Sequence, residues 1–292
     1  MYSRIKVFIE QVNPLLRYRH ADHAGNFGDV LKHIILVEIF DYLCQSEAGF
    51  EYVDSHAGAG LYHLKTRSTE NNPGYRKAIT KLRREEWPEL AGYLASIHSV
   101  NADTSLQIYP GSPVIAKQLL RSQDKAWLFE LNTEEYALLK KNIGDDTRIR
   151  VNQQDGYKGL LEHLPISSGR GLVLIDPPYE TDTDYDLVLE TITLAHEKFT
   201  DGIYAIWYPV VDRRRILRFQ EKLTDIDISN MQCFELGMSA DNDEMSMTAS
   251  GMIVINPPAK LMAKMKQLLP RLVETLATGD GAFCHCDELG KV

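Results

Sequence analysis

Short apolar runs alternate with longer amphipathic stretches along most of the chain. The runs are rich in Val, Ile, Leu and aromatic residues and fall at residues 50–54, 126–129, 149–152, 171–175, 202–211, 232–237 and 250–255. Each is too short for a helix and is bounded by Gly, Pro, Asn or Asp, which predicts a buried strand. Helical patterns occur between them at residues 29–45, 114–120, 133–142, 185–198 and 260–276. This alternation predicts an α/β fold.

The rhythm is broken once, between residues 62 and 105. Helical patterns around residues 74–84 and 88–99 predict a small helical insertion there. We therefore divide the chain into an N-terminal extension (1–16), a loop, helix and first strand (17–61), the insertion (62–105), the remainder of the main domain (106–276) and a loose tail (277–292).

Composition and charge narrow the function classes. The apolar fraction of 44% and the charged fraction of 25% are ordinary globular values. A formal net charge of -9 argues against a protein that coats nucleic acid through bulk charge. A nucleic-acid substrate would have to meet a local basic patch, and two basic clusters are present: Lys65, Arg67, Arg76, Lys77, Lys81, Arg83 and Arg84; then Arg213, Arg214, Arg215 and Arg218. Each cluster is either a solvated helix face or a phosphate-contacting surface.

Cysteine spacing and hydropathy bear on location and metal content. The four cysteines lack the paired spacing of a zinc site, so no metal is predicted. No apolar run is long enough to cross a bilayer, and the first residues lack the apolar core of a signal peptide. We expect a soluble cytoplasmic protein that acts as a monomer.

The stretch from Gly171 to Glu180 indicates the chemistry. Its apolar half predicts a buried strand ending at Asp176, and ligands of open α/β sheets bind beyond the carboxyl ends of strands. A carboxylate and the stiff carbonyl of Pro177 together accept both hydrogens of an exocyclic amine, while Tyr179 offers a flat face for a base. The pattern predicts methylation of an amino group on a nucleobase. The structural alternative is a Pro-Pro turn with a surface tyrosine.

A small-residue turn follows the first predicted strand. The strand ends at Asp54, and His56, Gly58 and Gly60 follow it. Glycines let the backbone approach a ligand closely, as a nucleoside-containing cofactor requires. The spacing departs from the dinucleotide pattern Gly-x-Gly-x-x-Gly, which counts against a nicotinamide cofactor.

Acidic residues follow the next two strands of the main domain. Glu130 stands where nucleoside-binding folds place an acceptor for ribose hydroxyls. Asp155, followed by Gly156, is positioned to accept from an adenine amine; simple loop solvation is the alternative for both acids. Ser112 is predicted as a helix N-cap, with Pro113 at the first helical position.

The N-terminal region contains a run rich in Gly, His and basic residues that leads into a helix at about Asp29. Lys32 and His33 fall one turn into that helix. They are either solvent-side residues of an amphipathic helix or functional residues facing the loop.

Together these motifs resemble the RlmJ family of bacterial S-adenosylmethionine-dependent methyltransferases, which act on adenine N6 in 23S ribosomal RNA. The resemblance covers residues 17–258, whereas residues 1–16 precede the usual start of the family. It rests on Tyr-Arg-His-x-x-His-Ala-Gly-Asn, Asp-Val-Leu-Lys-His, Asp-x-His-Ala-Gly-Ala-Gly, Tyr-Pro-Gly-Ser-Pro, Ile-Asp-Pro-Pro-Tyr-Glu, Trp-Tyr-Pro-Val-Val and Thr-Ala-Ser-Gly-Met-Ile-Val-Ile-Asn-Pro-Pro.

The resemblance implies a Rossmann-like class I methyltransferase sheet and a set of site residues. Catalysis is expected at Asp176, Pro177 and Tyr179. The implied cofactor contacts are His33, His56, Ser112, Glu130, Asp155, Gly156 and Asp176. The implied substrate contacts are Tyr18, His20, Lys32 and Tyr179. The implied partner is 23S ribosomal RNA, free or in an assembling large subunit.

Other functions fit parts of the same pattern. Asp-Pro-Pro-Tyr also serves DNA adenine methylation, and methylation of a protein amide or a small amine is a third possibility, although Asp in place of Asn argues against glutamine. A non-catalytic nucleic-acid-binding protein is the alternative from a different class, and it would not bind S-adenosylmethionine.

Overall fold

The computed structural model describes residues 24–64, 77–102, 105–242 and 246–290. The helices are α1 (Phe27–Cys44), α2 (Lys77–Thr80), α3 (Ala91–His98), α4 (Ser112–Leu119), α5 (Thr133–Ile143), α6 (Gly156–His163), α7 (Asp182–Lys198), α8 (Arg213–Asp225) and α9 (Leu261–Leu276). The strands are β1 (Glu51–Asp54), β2 (Leu61–His63), β3 (Ile108–Pro110), β4 (Lys125–Phe129), β5 (Ile149–Asn152), β6 (Gly171–Ile175), β7 (Ile203–Val210), β8 (Met231–Gly237), β9 (Ala249–Ile255) and β10 (Phe283–Leu289).

Eight strands form one sheet in the order β10-β8-β9-β7-β6-β1-β4-β5. The five strands β5, β4, β1, β6 and β7 run parallel to one another, whereas β9, β8 and β10 pair in antiparallel fashion. β6 and β7 are buried along their whole length because helices cover both faces. The α/β fold predicted from the alternating pattern is confirmed.

The C-terminal tail is the clearest departure from the prediction. The segment after Gly279 was expected to be loose, but β10 pairs with β8 from Phe283↔Gly237 to Leu289↔Met231. None of its side chains is fully buried, and its apolar pattern is too weak to predict a strand. The backbone hydrogen bonds offered by the free edge of β8 account for the strand.

The insertion also differs in detail from the prediction. In its described part, regular structure comprises the single turn α2, a 3-10 turn at Pro88–Leu90, and α3. Tyr109 and Pro110 belong to strand β3, which the sequence did not predict and which pairs antiparallel with β2 across the base of the insertion. This small sheet anchors the insertion beside the end of β1.

Helices α1 and α9 lie against the antiparallel half of the sheet. Buried apolar side chains from all layers form one continuous cluster. Within the described residues, no helix is both long and apolar enough to span a membrane.

Candidate active site

The carboxyl ends of four parallel strands meet at one edge of the sheet. Asp54 lies level with Leu128 of β4 and with Leu174 of β6. The acidic residues predicted as ligand contacts follow these ends: Glu130 after β4, Asp155 after β5 and Asp176 after β6. The register of the sheet therefore brings together residues that are far apart in the sequence.

The Asp176 carboxylate contacts a buried lysine. Lys32 Nζ donates to Asp176 Oδ2 at 2.6 Å and lies 2.9 Å from Asp29 Oδ1. Burial alone would lower the pKa of Lys32, but the two carboxylates outweigh it and raise that pKa above its ordinary value. Lys32 is therefore an ammonium ion inside the protein, and it holds one oxygen of Asp176 in place.

The start of α1 explains how a lysine comes to lie inside. Asn26 caps the helix by accepting from the Asp29 amide, and a Cβ on Gly28 would approach Trp207 and Ser250 within 3.3 Å. The first turn of α1 is thus pressed against β7 and β9. Lys32 is 3% exposed and His33 is fully buried, so the solvent-side interpretation of these residues is wrong.

A second polar cluster surrounds Asp54, which is fully buried. Its Oδ2 accepts from Tyr52 Oη and from Ser112 Oγ, each at 2.7 Å. Burial raises the pKa of Asp54 to about 6, against these hydrogen bonds and with a further contribution from the Asp176 charge. Ser112 was predicted as an N-cap, but Gly111 takes that position. The serine hydroxyl instead links α4 to the end of β1.

Histidines lie on two sides of this cluster. His33 Nδ1 is 2.8 Å from Tyr109 Oη, and Tyr109 in turn contacts the hydroxyl of Tyr93 at 3.0 Å. His56 lies on the turn after β1, where its Nδ1 is 2.8 Å from Ser55 Oγ and burial lowers its pKa. His33 therefore contacts the insertion side of the site, whereas His56 lies on the α6 side, against Tyr157.

The turn after β1 is tied to the residue after β4. Gly58 has a φ of 60° and donates its amide to Glu130 Oε2 at 2.8 Å. Positive φ is accessible to glycine without penalty, which accounts for glycine at this position. Burial raises the pKa of Glu130 against hydrogen bonds from two backbone amides. The carboxylate fixes the turn and keeps lone pairs beyond those that accept from the two amides.

The start of α6 closes the site on the β5 side. Asp155 caps α6 through a bond from the Lys158 amide to its Oδ1 at 2.9 Å. A Cβ on Gly156 would lie 1.6 Å from the Ser55 carbonyl oxygen, so only glycine fits between α6 and the end of β1. The predicted Asp155-Gly156 contact thus has a structural requirement as well as a candidate binding role.

Tyr179 differs most from its predicted environment. Its side chain is 8% exposed, its hydroxyl donates to the Trp207 carbonyl at 2.6 Å, and its ring lies 4.5 Å from that of Tyr185. The residue has a φ of 50°, a left-handed conformation that is strained for a bulky side chain. The turn directs the ring back toward β7, so Tyr179 is not the open face that the sequence suggested.

Some contacts were missed by sequence reasoning, and some predicted residues fall outside the description. Tyr52 and Trp207 join the site through tertiary contacts. Asp29 pairs with Lys32 within α1 and could have been inferred from the i, i+3 spacing. Tyr18 and His20 lie outside the described residues.

The charges present suit a cationic sulfonium cofactor. Asp29 and Asp176 both pair with the Lys32 ammonium and Asp54 lies close by, so carboxylates outnumber the cation at the centre of the site. Glu130 and Asp155 add acceptors at the adjacent strand ends for hydroxyl and amine donors. Across the described ranges, no group of three or more His, Cys, Asp or Glu side chains is arranged to hold a metal ion.

Comparisons with known proteins place the chain in a family context. The family model described as "Ribosomal RNA large subunit methyltransferase D, RlmJ" matches residues 47–285. The chain is 44% identical over 273 residues to ribosomal RNA large subunit methyltransferase J of Haemophilus influenzae, covering 92% of this chain and 97% of the relative. It is also 44% identical over 260 residues to the Escherichia coli protein of the same name, covering 88% and 93%.

Solved structures agree with the fold. Protein LPL1258 of Legionella pneumophila has a TM-score of 0.83 and 33% identity, covering 91% of this chain and 98% of that one. A probable spermidine synthase from Corynebacterium glutamicum has a TM-score of 0.50 and 11% identity, covering 93% and 78%, and this likeness concerns the fold alone.

Proposed function

The chain belongs to the RlmJ family of ribosomal RNA large subunit methyltransferases, and we propose that it methylates the exocyclic N6 amine of a specific adenine in 23S ribosomal RNA. The methyl donor is S-adenosylmethionine, which supplies an electrophilic methyl group on a sulfonium. Fixing the target amine is therefore the main task of the protein's own residues.

The observation that carries this proposal is the arrangement of Asp176 and Pro177 at the end of β6. Lys32 engages Asp176 Oδ2, which leaves Oδ1 to accept one amine hydrogen. The Pro177 carbonyl, on a loop stiffened by two prolines, accepts the other. Two acceptors on one amine favour a pyramidal nitrogen. The lone pair of such a nitrogen is no longer conjugated with the ring, which makes the nitrogen a better nucleophile.

Lys32 has a defined part in this scheme. Its ammonium is held by Asp29 as well as by Asp176, so the ion pair fixes the position of the catalytic carboxylate relative to α1. A rigid, preorganised acceptor costs little reorganisation when the amine arrives. Lys32 thus positions Asp176 and lies next to the substrate.

The target adenine must leave its stacked context, since its amine is out of reach within a stack. We assign Tyr179 as the ring against which the base lies. Because this side chain is 8% exposed, the base must displace what covers the ring before it stacks. The hydroxyl bond to Trp207 keeps the ring in a fixed orientation during that exchange.

The cofactor pocket follows the remaining strand ends. We assign Glu130 to the ribose hydroxyls, Asp155 and Gly156 to the adenine, and His33, His56 and Ser112 to the methionine side. Glu130 and Asp155 each keep acceptor capacity beyond the backbone amides that they bind. Tyr18 and His20 are proposed to contact the RNA.

Two substrates distinguish this proposal from DNA adenine methylation. The protein is incubated with labelled S-adenosylmethionine and either 23S ribosomal RNA fragments or duplex DNA, and the modified nucleoside is identified by mass spectrometry. N6-methyladenosine in RNA supports the proposal, whereas transfer to DNA alone, or to a position other than N6, contradicts it.

Substitution of Asp176 tests the catalytic assignment. Asp176→Ala should lower kcat at least about 100-fold because it removes a preorganised acceptor, while S-adenosylmethionine affinity changes little. Asp176→Asn keeps an oxygen acceptor and should lose less. Calorimetry and thermal melting of each variant check binding and folding. Wild-type turnover by the alanine variant would refute the role of Asp176.

A further inference from the structure

Tyr157, the second residue of α6, is held at the edge of the cleft by the close approach of Gly156 to Ser55. That contact leaves no room for even a Cβ, so the first turn of α6 is fixed against the end of β1. The Tyr157 ring meets His56 edge-on, with 4.8 Å between ring centroids. Tyr157 therefore lies between the turn after β1 and the catalytic loop, which comprises residues 176–180.

The hydroxyl group of Tyr157 is buried without a partner. Its oxygen is inaccessible to solvent and makes no hydrogen bond within the described part of the chain, although the side chain as a whole is partly exposed. Other buried tyrosine hydroxyls are satisfied, as in Tyr52, Tyr93, Tyr179, Tyr204 and Tyr208. A buried hydroxyl without a partner destabilises the folded protein. This cost indicates a group that is satisfied only when a ligand is present.

The surroundings of the hydroxyl indicate which ligand it meets. After burial, the carboxylate that raises the pKa of Tyr157 most is Asp184 at the start of α7, followed by Asp155 and Asp176. Burial is the main cause that raises the pKa of Tyr179, and the neighbouring Tyr157 makes the next largest contribution. The Tyr157 side chain is therefore near Asp155, Asp176 and Asp184, and its hydroxyl remains a neutral donor.

We propose that the Tyr157 hydroxyl donates a hydrogen bond to a ring nitrogen of the target adenine, and so positions and selects the base. This inference rests on the proposed function. Adenine carries acceptors, N1 and N7, on both sides of its N6 amine. Asp176 and Pro177 offer acceptors to the amine, and Tyr157 adds the donor that complements an adjacent ring nitrogen.

The variant Tyr157→Phe tests the inference by separating activity from stability. Loss of a hydrogen bond made only to substrate should lower kcat/KM for the RNA about 10-fold, with unchanged affinity for S-adenosylmethionine by calorimetry. Its thermal stability should equal or exceed that of the wild type, because the lost hydroxyl has no partner among the described residues of the free protein. A residue with a purely structural role would not give this combination.

Tyr204→Phe is the matched control. Its hydroxyl donates to the Ala195 and Phe199 carbonyls at 2.9 and 2.7 Å, away from the site. This variant should lose stability and keep wild-type kcat/KM when assayed well below its melting temperature.

Substrate analogues identify the bonded atom. In RNA with 1-deazaadenosine or 7-deazaadenosine at the target position, one analogue should lower wild-type kcat/KM by the same factor as Tyr157→Phe. The variant should then lose nothing further on that analogue.

Two results overturn the inference while leaving the proposed function intact. One is wild-type kcat/KM for Tyr157→Phe on normal RNA. The other is a loss of S-adenosylmethionine affinity that accounts for the whole effect, which would assign the hydroxyl to the methyl donor. If the wild-type protein transfers no methyl group to adenine in RNA, the proposed function fails first and the inference fails with it.

Discussion

At the scale of single residues, the site is governed by carboxylates held away from water. Asp176 is stabilised by the Lys32 ammonium, whereas the buried Asp54 has only hydroxyl and amide donors as close contacts. This difference explains why burial dominates at Asp54 and raises its pKa to about 6.

Asp54 makes stability depend on pH in a defined direction. Its pKa of about 6 in the folded protein lies above the ordinary 3.8, so the folded state binds the proton more tightly. Its contribution is most favourable below pH 4 and is lost as pH rises through 6, by up to about 3 kcal/mol. Urea unfolding at several pH values should show the wild type losing stability relative to Asp54→Asn across this window.

Asp124→Asn provides a control of opposite sign. Burial alone would raise the pKa of Asp124, but hydrogen bonds led by that from Arg121 outweigh it and lower the pKa. The contribution of Asp124 is therefore present above the unfolded pKa and is lost as pH falls. A constant stability difference between wild type and Asp54→Asn from pH 4 to 7 would count against the assignment for Asp54.

At the scale of elements, the two sides of the sheet have different roles. The parallel strands β5, β4, β1 and β6 present their carboxyl ends to the site, while β8 and β10 lie at the opposite edge. β10 covers the outer edge of β8, and the Phe283 ring packs so closely over Gly237 that a Cβ there would lie 2.4 Å from it. β8 and β10 therefore serve stability rather than chemistry, whereas β7 and β9 also support the start of α1 at the site.

Deletion of residues 282–292 tests this division. The variant loses β10 and exposes the edge of β8, so we expect a melting temperature lower by about 5–10 °C and a greater tendency to aggregate. The kcat for methyl transfer should stay within about twofold of wild type, because the site lies on other strands. Deletion of residues 291–292 alone is the control. An inactive but folded deletion variant would show that β10 contributes to the site.

At the scale of the whole molecule, an acidic protein must still bind a polyanion. The start of α8 offers cations near the catalytic loop: Arg215 pairs with Asp182 and lies over the ring of Tyr185, which in turn contacts Tyr179. Arg213 is already paired with the buried Glu235 and with Asp241 at the surface. Arg214 and Arg218 are exposed beside them, so they are the members of this cluster placed to meet phosphates.

Arg214→Gln combined with Arg218→Gln should therefore weaken RNA binding without affecting chemistry. We expect the KM for RNA to rise severalfold with kcat unchanged, and the slope of log affinity against log salt to become shallower by about 1–2. Lys140→Gln with Lys141→Gln removes the same charge from exposed positions late in α5. Equal effects of the two double variants would mean that net charge, not this surface, is responsible.

The sequence by itself determined the α/β fold and the acids at the strand ends. Periodicity identifies strands because burial of apolar side chains is a local demand on each segment. It predicted neither β10 nor β3, since both are held by backbone pairing with a distant partner and not by a strong apolar pattern of their own.

Only the tertiary structure decided what each site residue contacts. The sequence alone allows Lys32 to be a surface residue of a helix. The packing of α1 instead places it 2.6 Å from Asp176, 144 positions away in the chain. Ser112 was predicted as a helix cap, but its hydroxyl donates to Asp54 at the end of β1. Tyr179 was predicted to be exposed, but its positive φ directs the ring toward Trp207. In each case strand register and helix packing determine the partner of the charge or hydroxyl. Both depend on contacts distant in sequence, so they leave no local pattern.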